Sequence, residues 1–172
     1  LSPSSAASDV YKRQVLGNEV PKDFEKFREM KYTKGERFEA LRKRVSNHEK
    51  SRNFKEKLRN GEIITAVRNV KQQEHIQGTK KWKRRVRSDL ETKGTAPDMF
   101  YKNMDIQKLM DEYSGTGEFD FRKNQQYPIE FISAKEPIGK YFNLGKGRYE
   151  ETKRFAIRYS GKGVHLHPVK EV

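Results

Sequence analysis

An alternation of apolar and charged side chains near the C-terminus constrains the fold more than any other feature of this chain. Residues 152–168 read TKRFAIRYSGKGVHLHP, with apolar side chains at every second position on either side of Gly161-Lys162. Alternation with a period of two is typical of a half-buried strand, and glycine supplies the positive φ that a tight turn needs. The sequence therefore predicts a terminal β-hairpin. Its expected cross-strand pairs are Tyr159–Val164, Ile157–Leu166 and Arg158–His165.

This register separates the hairpin into an apolar face and a charged face. The charged face carries Arg154, Arg158, His165 and His167. Imidazoles exchange protons near neutral pH, and a guanidinium group can bind two phosphate oxygens at once. Two imidazoles and two guanidinium groups on one face therefore suit phosphodiester chemistry.

The composition favours a polyanionic partner. The 172 residues carry a formal net charge of +14, which is most simply explained by binding to nucleic acid. There is no cysteine, so disulfides, thiolate metal sites and cysteine nucleophiles are excluded. No apolar run approaches the ~20 residues that a membrane-spanning helix needs, so we expect no membrane partner.

The order of patterns along the chain predicts an α+β fold. Helices are expected from Pro21 onward, over about 36–49, from Glu62 to Val70, and after Asp105 as far as Tyr113. Residues 88–103 are expected to form a loop. Strands are expected at 118–122, 128–133 and 138–144, followed by the hairpin. Helices followed by turn-linked strands favour a small, mostly antiparallel sheet of about four strands packed against helices.

Three segments differ in composition. Residues 1–14 resemble translated sequencing-adaptor sequence, and we expect them to be a non-native or disordered tail. Residues 15–60 are highly charged and poor in apolar side chains, and are expected to be a helical linker or the end of an upstream domain. Residues 61–172 are expected to form the compact domain.

The stretch KKWKRRVR, from Lys80 to Arg87, is the densest basic patch in the chain, with six cations and no acid. It is either a solvated charged face or a strip that contacts phosphates. In the second case it would give affinity without sequence selectivity. The glycine pair in Gly115-Thr116-Gly117-Glu118 predicts a tight turn rather than a phosphate-binding loop.

Three motifs resemble one known family, the polymorphic toxin type 50 domain. They are HIQGT at 75–79, LMDEYSGTGE at 109–118, and the segment from Glu151 to His165. The resemblance covers roughly Gly61 to Pro168. The family is predicted to consist of ribonuclease toxins, and it occurs at the C-terminus of secreted toxins and of phage minor head proteins.

The resemblance implies a biological setting. RNA is the expected partner, together with an immunity protein or phage head components, and no cofactor is expected. Residues 15–60 would then be the end of a phage head protein domain. The expected location is a phage virion or the cytoplasm of a target cell into which the toxin is delivered.

The resemblance and the hairpin geometry together predict a metal-independent endoribonuclease. His75 and His165 are the predicted acid–base pair, with the assignment of acid and base left open, and Arg158 is the predicted phosphate clamp. The predicted substrate-binding residues are Thr79, Arg154, Lys80, Lys81, Lys83 and Arg84. No metal site is expected beside the histidines because the neighbouring arginines repel cations.

The chain departs from the family pattern in three places. Arg158 stands where a histidine is common, Val164 replaces a threonine, and His167 is additional. Two alternatives therefore stay open: a non-catalytic basic module that binds nucleic acid or serves a structural role in a phage head, and a DNase.

Overall fold

The computed structural model describes residues 34–171. The expected helix after Pro21 and the segment 1–14 lie outside the described residues. The chain divides into two compact units, Leu1–Lys50 and Ser51–Val172, and the features below belong to the second unit unless stated otherwise. Of the helices described, none has the length and apolar character needed to cross a membrane.

The described helices differ from the predicted ones mainly in their limits. The α-helices are α1 (Lys34–Arg59), α2 (Asn69–Gln72), α3 (Lys80–Lys93) and α4 (Ile106–Tyr113), and a 3₁₀ helix (Gln73–His75) follows α2 directly. Helix α1 is longer than the helix expected over 36–49. Helix α4 forms as predicted, since the Asp105 carboxylate accepts a hydrogen bond from Lys108 N and caps its first turn.

Seven short strands form two antiparallel sheets in the described part of the chain. The strands are β1 (Met99–Phe100), β2 (Glu118–Asp120), β3 (Ile129–Ser133), β4 (Gly139–Asn143), β5 (Arg148–Thr152), β6 (Arg154–Arg158) and β7 (His165–Pro168). Their order is β1-β4-β5 in one sheet and β2-β3-β6-β7 in the other. The predicted α+β class is confirmed, whereas the three-stranded sheet was not predicted.

The terminal hairpin is formed by β6 and β7. Ile157 lies opposite Leu166 and Arg158 lies opposite His165, as predicted. The expected Tyr159–Val164 pair is not part of this ladder, because Val164 exchanges backbone hydrogen bonds with Ala66 and Arg68 instead.

Gly163 provides the tight turn of the hairpin. Its φ is +106°, and a Cβ atom at this position would lie 2.5 Å from the Ala66 carbonyl oxygen. Only glycine therefore lets the hairpin turn lie against the segment that precedes α2.

One face of the four-stranded sheet forms the core. The ring of Phe155 packs edge-on against Tyr113 of α4 at 5.9 Å, and the ring of Tyr159 packs against Phe54 of α1 at 5.0 Å. Ile157 and Leu166 are fully buried on the same face. The apolar face predicted for the hairpin is thus the inner face, and the charged face points the other way.

Two local predictions are wrong. Residues 62–68 are not helical, because Val67 forms a bridge with Val164 and donates its backbone N–H to the Gln107 side chain. Residues 88–93 are not a loop, because α3 continues to Lys93. It ends at Gly94, which has a φ of +63°.

Candidate functional site

Three histidines lie together on the outer face of the four-stranded sheet. His165 and His167 alternate with buried Leu166 along β7 and therefore project to the same side. The His75 ring centroid lies 6.2 Å from that of His165 and 5.4 Å from that of His167. The structure thus brings His75 and His165 together from segments that are far apart in the sequence.

Gln72 binds strand β7 and so holds the 3₁₀ helix, which contains His75, against that strand. Its side chain is 1% exposed. Gln72 Nε2 donates to the Leu166 carbonyl oxygen at 3.0 Å, and Leu166 N donates to Gln72 Oε1 at 2.8 Å. The amide therefore binds the edge of β7 at the residue between His165 and His167. This role of Gln72 was not predicted.

In the sequence His75 comes near the end of the helix expected from Glu62, which predicts a position at an edge rather than in a core, but the residue is only 6% exposed. Its Nδ1 atom lies 3.2 Å from the Asp98 carbonyl oxygen, and its Nε2 atom lies 3.1 Å from Arg85 Nη1. A carbonyl can only accept and a guanidinium can only donate. His75 is therefore a neutral imidazole with its proton on Nδ1 and its lone pair on Nε2.

Arg85 supplies a second guanidinium group at the site, and this role was not predicted from the sequence. Two carboxylates hold it: Arg85 Nη1 lies 3.2 Å from Glu74 Oε2, and Arg85 Nε lies 3.3 Å from Asp89 Oδ2. Lys71 and Lys93 bind the same carboxylates at 2.8 Å. In the sequence Arg85 is one of six cations among the eight residues from Lys80 to Arg87, and only the orientation of α3 distinguishes it from its neighbours.

The environment of the histidines lowers their pKa values. Burial lowers the pKa of His75 to about 4, with the nearby positive charge of Arg85 as the second cause. Burial and the charge of Arg158 lower the pKa of His165 to about 4. Burial lowers the pKa of His167 to about 2. All three imidazoles are therefore neutral at pH 7.

Two predicted arginines lie at different distances from the histidines. Arg158 is directly opposite His165 in the β6–β7 ladder and lies on the histidine face. Arg154 shares that face but is four residues away along β6, about 13 Å at strand spacing. Its guanidinium lies over the ring of Phe131, 5.3 Å from the centroid.

The remaining predicted substrate-binding residues lie at or near the start of α3. Thr79 caps the helix by accepting a hydrogen bond from Trp82 N, and its hydroxyl donates to Gln73 O. Lys81 Nζ donates to the Val70 carbonyl oxygen at 2.8 Å. Three cations are exposed to solvent: Lys80, Lys83 and Arg84. Contact of these residues with substrate stays a prediction.

The glycine turn after α4 binds an internal carboxylate. The backbone N–H groups of Gly115 and Gly117 donate to the Glu130 carboxylate at 3.1 and 2.7 Å, and Tyr159 Oη donates to it at 2.5 Å. Glu130 is fully buried. The turn is therefore structural, as the sequence predicted, and its anion-binding groups are already used.

Over residues 34–171, no group of three or more His, Asp or Glu side chains is arranged to hold a metal ion. The side chains on the histidine face offer imidazoles and guanidinium groups. Neutral imidazoles can accept protons, and a guanidinium group can bind an anion.

Comparison with known proteins identifies a family. The sequence model of the family described as Bacterial toxin 50 matches residues 67–168, which is more than half of the chain. The match spans α2, the 3₁₀ helix and α3, and it ends with β7. Neither the curated proteins nor the solved structures compared with the chain gave a match. The chain therefore belongs to the bacterial toxin 50 family, and residues 67–168 form its toxin domain.

Proposed function

We propose that this toxin domain is a metal-independent endoribonuclease with a histidine acid–base pair. In the proposed reaction the RNA 2′-hydroxyl attacks the adjacent phosphorus, the bond from phosphorus to the 5′-oxygen breaks, and a 2′,3′-cyclic phosphate forms. One group must take the proton of the hydroxyl and another must protonate the departing oxygen. A cation must stabilise the charge that develops on the phosphorane.

The observation that carries the proposal is the pairing of His75 with His165 beside guanidinium groups. The two ring centroids are 6.2 Å apart, and Arg158 lies directly across the ladder from His165. Imidazoles at this separation can contact oxygens on two sides of one phosphate, because a proton-transfer contact spans about 2.6–3.2 Å.

The hydrogen bonds of His75 suit it to the role of base. The Asp98 carbonyl oxygen holds the proton on Nδ1, which leaves the lone pair of Nε2 facing Arg85. A bound phosphate would compete for Arg85 and leave Nε2 free to accept the proton of the 2′-hydroxyl. His165 is then the acid that protonates the 5′-oxygen, acting through the fraction of molecules in which its imidazole is protonated, and Arg158 binds a non-bridging phosphate oxygen.

A non-catalytic basic module is the second candidate. It is favoured by the exposed cations Lys83 and Arg84 on α3, which could bind nucleic acid without any contribution from the histidines. Such a module would bind RNA or DNA with a strong dependence on salt and would cleave neither. An immunity protein and phage head components are the further partners we propose for the domain, on the family resemblance alone.

The test is incubation of the purified protein with total RNA in the presence of a chelator. We expect cleavage by the unmodified protein and a loss of about 10²–10⁴ in rate for His75→Ala and for His165→Ala. His48→Ala is the control, because His48 is an exposed histidine of α1. If His165→Ala cleaves RNA as fast as the unmodified protein, the assignment is wrong. Binding of RNA without any cleavage would favour the basic module.

A further inference from the structure

We propose that the cavity next to Arg158 and His165 binds one unpaired nucleobase, so that the domain selects the nucleotide beside the scissile phosphate. This inference rests on the proposed ribonuclease function and adds a base-binding site to it. The cavity has a volume of about 310 Å³, and its walls include Gln125, Gln126, Tyr127, Ile129, Arg158 and His165.

The position of the cavity links it to the proposed chemistry. Arg158 and His165 line the cavity, whereas His75, whose ring centroid is 6.2 Å from that of His165, does not line it. A phosphate held by Arg158 between the two histidines would therefore leave the base of an attached nucleotide at the mouth of this cavity. The volume is within the range of small-ligand pockets, which begins at about 300 Å³.

The cavity has an apolar floor and an aromatic side chain that suit a planar base. Pro128 and Ile129 are buried, and Tyr127 is half-buried and packs against the hydrophobic core. An aromatic ring held by packing offers a surface for stacking, which is how proteins bind unpaired bases of single-stranded RNA. Paired bases cannot enter, so we expect a preference for single strands or loops.

Two side-chain amides can read the base edge. Gln125 and Gln126 are exposed, and within residues 34–171 neither side chain has a hydrogen-bond partner. Each amide offers a donor and an acceptor, the combination that discriminates among bases. The hydroxyl of the other tyrosine in the wall, Tyr159, is already bonded to the Glu130 carboxylate. We therefore assign recognition of the base edge to the loop amides.

The test is calorimetric binding of the four nucleoside 3′-monophosphates, with inorganic phosphate as the probe that lacks a base. We expect at least one nucleotide to bind about 5- to 150-fold more tightly than phosphate, the range for one stacked base. Tyr127→Ala should remove most of this excess and Tyr127→Phe should keep it. Gln125→Ala with Gln126→Ala should make the four nucleotides bind alike.

The control is Asn103→Ala, an exposed amide that does not line the cavity and should change nothing. Tyr127 packs against the core, so Tyr127→Ala could fail to fold. In that case nucleotide binding by the variant with both exposed glutamines replaced decides the test. Equal affinity for all four nucleotides and phosphate, or an unchanged nucleotide ranking in the glutamine variants, would overturn the inference. Selective binding of nucleotides without RNA cleavage would support the base-binding site and contradict the ribonuclease function. RNA cleavage without nucleotide selectivity would support the ribonuclease function and contradict the base-binding site.

Discussion

At the scale of single residues, the site depends on the side-chain amide of Gln72, whose role is not evident from the sequence. Gln72 is the only side chain described here that binds both the N–H and the carbonyl of Leu166, and Leu166 separates His165 from His167. The Gln72 amide therefore makes the two hydrogen bonds that a neighbouring strand would otherwise make at this edge of β7. Its two hydrogen bonds place His75, three residues later, against both histidines.

Gln72→Leu should damage both stability and cleavage. The substitution keeps a similar volume but leaves the buried N–H and carbonyl of Leu166 without partners, which costs about 1–3 kcal/mol for each group. Urea denaturation should show the loss, and RNA cleavage should fall further as His75 moves away. Gln73→Leu is the matched control, because within the described residues the Gln73 side chain makes no hydrogen bond. Equal stability of the two variants would contradict this role of Gln72.

The lowered histidine pKa values predict that acid destabilises the fold. His75 and His165 titrate near 4 in the folded chain, whereas an unfolded histidine titrates near 6.5. Between these values the unfolded chain binds more protons, so the free energy of unfolding falls as the pH drops through this window. Each histidine contributes on the order of 1 kcal/mol per pH unit at most. The measurement is urea denaturation from pH 7 to pH 4.5.

The variant His165→Asn tests whether His165 contributes to this dependence of stability on pH. The variant should show a shallower dependence of stability on pH than the unmodified protein, since one titrating imidazole is gone. An identical slope in the two proteins would show that His165 has an ordinary pKa. The same lowered values predict that kcat/KM for RNA rises toward acid pH, because the proposed acid must carry a proton.

At the scale of elements, the turn between α4 and β2 lies so close to the backbone of β3 that a side chain at position 117 would collide with it. A Cβ atom on Gly117 would lie 2.3 Å from the Phe131 carbonyl oxygen, whereas one on Gly145 would meet only Asn143 Oδ1 at 3.5 Å. The N–H groups of Gly115 and Gly117 in this turn also donate hydrogen bonds to the buried Glu130 carboxylate. The turn therefore joins α4 to the four-stranded sheet.

Gly117→Ala should destabilise the domain, and Gly145→Ala should not. The first substitution forces backbone atoms apart, and crowding of this kind typically costs about 1–3 kcal/mol. Thermal denaturation of the two variants in parallel is the measurement. A Gly117→Ala protein with an unchanged melting temperature would mean that the turn has room to shift.

The hairpin and α4 could be predicted from sequence because their signals are local. Alternation along 154–168 fixed the Ile157–Leu166 register, and Asp105 marked the start of α4. The three-stranded sheet was missed because β1 has only two residues and β5 carries no clear apolar alternation. The partnership of Gln72 and Arg85 with the histidines could not be predicted, because it depends on how α2 packs on β7 and how α3 packs on the 3₁₀ helix.

At the scale of the whole molecule, the charge should govern affinity for RNA. The net charge is +14, and Lys83 and Arg84 are exposed on α3. Each cation that contacts a phosphate of single-stranded RNA releases counterions and steepens the dependence of binding on salt by about 0.7 in a log–log plot. The exposed face of α3 is therefore expected to set affinity, while the histidines set chemistry.

A double variant, Lys83→Ala with Arg84→Ala, should reduce the salt slope by up to about 1.4. Cleavage at saturating RNA should be retained. The matched control is Lys102→Ala with Lys108→Ala, which removes the same charge from exposed positions on and before α4, a helix that packs on the opposite face of the sheet. Filter binding over a range of salt concentrations is the measurement, and equal slopes for the two double variants would exclude α3 as the RNA contact.

The most direct test of the central claim uses an oligonucleotide with one ribonucleotide in an otherwise 2′-deoxy strand, incubated with the protein in a chelator. The account predicts one cut, on the 3′ side of the ribonucleotide, and a 2′,3′-cyclic phosphate product. His75→Ala and His165→Ala should each lose this cut. Cleavage of the fully deoxy strand, or an unchanged cut in either histidine variant, would contradict it.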